Sequence, residues 1–140
     1  MDFIGKYLLD IIITDWALQS YLDLKHKNTF TSEEYKNIIR PDVILLKEGF
    51  PPENPKFQNG KFWSFATLGN STIKDGYKMK WHNTGQGKVQ LRLGVAVLSD
   101  FFLCRGYVKS NENVDKREMA KLKINIRDIS KGNFSYRGML

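Results

Sequence analysis

In the second half of the chain, basic residues recur at every second position, the spacing that gathers cations on one face of a strand. In residues 77–82 the apolar set Tyr77, Met79 and Trp81 leaves Lys78, Lys80 and His82 opposite. In 88–98, Val89, Leu91, Leu93, Val95 and Val97 oppose Lys88, Gln90 and Arg92. In 120–128, which alternates in the same way, Ala120, Leu122, Ile124 and Ile126 oppose Lys121, Lys123, Asn125 and Arg127. A fourth segment, 101–109, adds Phe101, Arg105, Tyr107 and Lys109 if Phe102, Cys104 and Val108 point inward. Cations so gathered match a phosphate backbone, and Phe101 and Tyr107 would be platforms for stacked bases.

The same residues suggest a second chemistry. A metal-independent ribonuclease needs a general base or acid beside cations that stabilise a phosphorane, and His82 with Lys80 and Arg92 has the right types. Tyr107 or Tyr136 would be a further donor. Other catalytic patterns fail on spacing. Gly85-Gln86-Gly87-Lys88 lacks the earlier glycine and the following Ser or Thr of a phosphate loop, which leaves a hairpin turn. His82-Asn83 has no second histidine nearby. Asp42, Glu53 and Lys56 have the types of a restriction-nuclease core, but 53–56 is one residue too long and proline-rich. Phe57, Phe62, Trp63 and Phe65 form the densest aromatic cluster; they read as core, or as the anchor of a protein interface if one set is exposed.

Composition narrows the class. The chain has 140 residues, 41% hydrophobic and 26% charged, enough apolar material for a packed core. The net charge is +7, and it is unevenly placed. Residues 1–70 carry 8 basic and 9 acidic side chains, whereas 71–140 carry 14 basic and 6 acidic. Cys104 has no partner for an internal disulfide, and with His26 and His82 it makes no zinc-ligand set, so neither metal nor cofactor is expected. Asp2, Asp10 and Asp15 interrupt any signal-like start, and no apolar run spans a membrane; a cytoplasmic protein without membrane contact is expected. Asn70-Ser71-Thr72 and Asn133-Phe134-Ser135 match the glycosylation triplet by chance in such a compartment.

The elements that must position these residues follow from periodicity. Ile4, Leu8, Ile11, Leu18 and Leu22 predict an amphipathic helix in the first 27 residues, capped by Asp2, although the run Ile11-Ile12-Ile13 is β-branched. Thr31 and Glu34 form a capping box that opens a short helix, which Pro41 should close. The contiguous Val43, Ile44, Leu45 and Leu46 read as a buried strand over 42–47, followed by a loop over 49–60. Strands are then expected at 61–68, 77–82, 88–98, 101–109, 120–128 and 133–139, with a short helical turn within 113–119. No segment read as helix is rich in Arg and Lys, which argues against a groove-reading helix.

These signs converge on one α+β domain over 1–140, helical over 1–40 and mainly antiparallel strands over 42–140. In it the N-terminal amphipathic helix packs on a curved antiparallel sheet or a small OB-like barrel made by the C-terminal half. The expected function is nucleic-acid binding without catalysis, single strands favoured, gripped by the basic sheet face. The alternatives are the toxin-like ribonuclease using His82 and an inhibitor or adaptor that docks on another protein through the basic face or the aromatic cluster.

Overall fold

The computed structural model describes residues 9–48 and 52–140. A six-stranded open sheet runs in the order β2-β3-β4-β5-β1-β6, with helices on both faces. The strands are β1 (Ile11–Thr14), β2 (Trp63–Leu68), β3 (Ser71–Thr84), β4 (Val89–Val97), β5 (Phe101–Val108) and β6 (Tyr136–Met139). Neighbours are antiparallel except β1, which lies parallel to β5. Among the described residues the sheet does not close into the expected OB-like barrel: β1 and β6 extend it beyond β5, and β2 and β6 are its two edges.

The expected N-terminal helix is divided. Ile11-Ile12-Ile13 form β1, because β-branched side chains favour an extended backbone and this strand is buried between β5 and β6. Thr14 then turns the chain into α1 (Asp15–His26): its Oγ1 donates to the Leu103 carbonyl at 2.6 Å and accepts the Ala17 N–H at 3.2 Å. Leu18 and Leu22 lie on α1, with Leu22 exposed, while Asp2, Ile4 and Leu8 fall outside the described residues.

The capping box is present, since Thr31 and Glu34 exchange hydrogen bonds at the start of α2 (Ser32–Glu34). Pro41 does not end the helical path. It sits in the first turn of α3 (Arg40–Ile44), after a π-helical turn over Tyr35–Ile39 whose wider winding gives the ring room. The strand expected over 42–47 is therefore helical, continuing into a 3-10 turn at Leu45–Glu48. Ile39, Val43 and Leu46 are buried at helical spacing, and they pack in one core with Phe57, Phe62 and, on β2, Trp63.

The largest correction is 113–128. A short turn followed by a strand is replaced by a single 19-residue helix, α4 (Glu112–Ser130), capped by Asn111 Oδ1 on the Val114 N–H. Met119, Leu122, Ile126 and Ile129 are buried against the sheet face opposite α1, whereas Ile124 is 47% exposed. The alternation over 120–128 is thus incidental to a 3.6-residue period that holds through the whole segment. Close approach is allowed by Gly94 on β4: a Cβ there would lie 3.2 Å from Leu122 Cδ1.

Candidate nucleic-acid interface

Register brings part of the expected basic face together. Lys80 lies opposite Arg92 and Arg92 opposite Tyr107, a row across β3, β4 and β5, with Lys78 and His82 flanking it on β3. The first turns of α4 cover this row. Asp115 accepts from Tyr107 Oη at 2.5 Å and pairs with Lys78 Nζ at 3.3 Å. Lys109 pairs with Glu112 at 2.9 Å, and Arg105 Nε meets Glu118 at 3.0 Å.

The electrostatics follow from that cover. Partial burial opposes ionisation of Asp115, but the Tyr107 hydrogen bond and the Lys78 charge outweigh it and hold the carboxyl below its usual range. Burial, then hydrogen bonding to Asp115, pushes the Tyr107 phenol far up, so it stays a donor. Burial and the neighbouring Lys78, Arg92 and Lys109 lower the pKa of Lys80, whose Nζ donates to the Gly60 carbonyl at 2.9 Å. Arg92 is buried, its Nη1 donating to the carbonyls of Leu91 at 3.1 Å and Trp81 at 3.4 Å. These cations are mostly spent inside the protein.

His82 is exposed, yet both ring nitrogens are engaged: Nε2 lies 2.7 Å from the Lys61 carbonyl and Nδ1 2.9 Å from Gln90 Oε1. Both partners as placed are carbonyl oxygens, which only accept, so a neutral ring donates to one of them and the other contact calls for the flipped Gln90 amide or a second ring proton. A substrate reaching this ring would have to displace one of these two contacts. Tyr136 is exposed on edge strand β6 and sits apart from the Lys80–Arg92–Tyr107 row.

The remaining expected residues lie elsewhere. Phe101 is fully buried and Tyr107 is 6% exposed, so neither can stack a base. Lys88 is in the β3–β4 turn at φ +50° rather than on a strand. Lys121, Lys123 and Arg127 are exposed on α4, and there they join residues outside the expected set. Lys116, Arg117, Lys121, Lys123 and Arg127 all face solvent, with Lys131 following at the C-cap. Lys121 bonds Glu118 at 3.1 Å, and Lys116, Arg117, Lys123 and Arg127 have no ion-pair partner among the described residues. Two of the helix's four acids turn the other way: Glu118 is buried and Asp115 partly so, each bound to a sheet cation, while Glu112 is exposed at the first turn beside Lys109 and Asp128 is half-buried. Helical spacing of Met119, Leu122, Ile126 and Ile129 is the sequence signal that reveals this basic helix.

The Asp42 set is structural. Asp42 Oδ1 accepts from Lys56 Nζ at 2.7 Å and Oδ2 from Trp81 Nε1 at 2.9 Å, tying α3 to the sheet; Asp42 is on a helix, not the strand a restriction core needs. Phe57, Phe62 and Trp63 are core, and only Phe65 of that cluster is exposed, at 61%, stacked on Tyr77 at 5.2 Å.

Compared with known proteins, the chain matches no family model, and no significant relative is found among curated proteins or solved structures. Among the described residues no helix is long and apolar enough to cross a membrane.

Proposed function

We propose that the protein binds nucleic acid through the phosphate backbone, with the outer face of α4 as its main contact surface. The observation that carries this reading is the sorting of charge on one helix: Asp115 and Glu118 turn inward to sheet cations, and Lys116, Arg117, Lys121, Lys123 and Arg127 turn outward. From Lys116 to Lys131 the helix rises about 22 Å, which faces about a dozen duplex charges at one per ~1.7 Å. A preference for single strands would need bases stacked on Phe101 and Tyr107, which are buried, so duplex should bind at least as well as single strands.

Fluorescence anisotropy with labelled duplex, single-stranded DNA and single-stranded RNA at about 50 and 200 mM salt tests this. With six phosphate contacts the affinity should fall by about a thousandfold across that range. Absence of binding, or binding indifferent to salt, would remove the proposal. Phe65, exposed on edge strand β2, favours a protein partner as the second reading. Phe65→Ala should then abolish binding of that partner and leave nucleic-acid affinity unchanged.

A further inference from the structure

On the sheet face away from α4, an apolar cavity of about 160 Å³ lies between α1, the π-helical turn and strands β4 and β5. Its walls include Ala17, Leu24, Ile39, Val43, Leu93 and Leu103. An apolar cavity of about 150 Å³ in a protein interior stays dry and accepts benzene, so this one has room for a small ring or short alkyl chain.

Two features give the cavity a polar end. Arg40, exposed at its rim, has no ion-pair partner among the described residues; Arg92 also borders the cavity, but its side chain belongs to the row beneath α4 and its guanidinium is bound to backbone carbonyls. Tyr21 and Tyr35 flank the same end, their rings 5.0 Å apart and joined by Phe30, and neither hydroxyl has a hydrogen bond among the described residues. Tyr35, Ile39 and Arg40 reach the cavity from the π-helical turn and the residue after it. A π-turn re-aims side chains relative to an α-helix and is frequent at functional sites.

We propose that this cavity is a binding site for a small monocarboxylate, whose apolar body, about the size of benzene, fills the space while its carboxylate meets Arg40 at the rim. Guanidinium recognises a planar carboxylate through two parallel hydrogen bonds, and the tyrosine hydroxyls would add donors. The site is on the opposite side of the sheet from α4, so it stands or falls independently of nucleic-acid binding.

The test is NMR titration of the whole chain with phenylacetate, 2-phenylethanol and 2-phenylethylamine, which share a ring and differ in charge. Phenylacetate is expected to shift the methyl resonances of Ala17, Val43, Leu93 and Leu103, to bind at least about tenfold tighter than the alcohol, and to leave the amine weakest. Arg40→Gln, at an exposed position, should erase the acid's advantage and leave the alcohol's affinity unchanged. Ala17→Phe should fill the cavity and abolish binding of all three; if it does not fold, the Arg40→Gln comparison decides alone. No shift of the cavity methyls at millimolar phenylacetate, equal binding of acid and amine, or an unchanged acid preference in Arg40→Gln would each overturn the proposal.

Discussion

At Asp115 a single carboxylate joins three elements, holding Lys78 of β3 and Tyr107 of β5 beneath the first turn of α4. Its lowered pKa means that its contribution is fully present above the unfolded value near 4 and is lost as pH falls through the lower folded value. Asp115→Asn should cost about 2–3 kcal/mol at pH 7, because Lys78 is left buried without its counter-charge. Urea unfolding should show that gap narrowing below about pH 4; a gap equal at pH 7 and pH 3 would contradict the assignment. His82→Ala, by contrast, removes two surface hydrogen bonds and should change neither nucleic-acid affinity nor probe integrity on a gel. Cleavage of RNA by the native chain that disappears in this variant would restore His82 to a catalytic role.

Helix α4 is the element on which the sequence is most ambiguous. Ala120, Leu122, Ile124 and Ile126 satisfy a period of two, while Met119, Leu122, Ile126 and Ile129 satisfy a helical one. The two patterns share Leu122 and Ile126, and Ile124 is the large apolar residue that only a strand would bury. Leu122→Ala should cost about 2–5 kcal/mol and Ile124→Lys less than about 0.5 kcal/mol, measured by urea unfolding, whereas a strand would make both costly. Gly94→Val should loosen the packing of α4 on β4, since the added side chain meets Leu122; reduced α4 amide protection in hydrogen exchange would report it. For function, Lys123→Glu with Arg127→Glu should reduce the slope of log affinity against log salt by about 2, near 0.9 for every phosphate no longer engaged. Lys36→Glu, on the opposite helical layer, should leave that slope unchanged; equal effects would mean that no localised interface exists.

Across the whole molecule, the apolar halves of β3 and β4 were legible because Tyr77, Met79, Trp81, Leu91, Leu93, Val95 and Val97 recur at every second position and so share one face, although the opposite face is buried as well, under α4. The hairpin between them was legible too, since its turn needs positive φ and Gly85 supplies it at +68°. The Thr31–Glu34 cap likewise needs only four neighbouring residues. What these features share is locality: each is satisfied by residues near in sequence. The parallel pairing of β1 with β5 depends on residues 90 positions apart, and no local pattern encodes it. Nor could periodicity say that the cations of β3, β4 and β5 would lie under a helix carrying their counter-charges, because Lys78 meets Asp115 only once α4 has docked. The basic half of the chain, the caps and turns, and the alternating strands of a sheet are all written in local sequence. Only tertiary packing decided which of the basic residues remain in water, since burial under α4 neutralises one set and exposes the other.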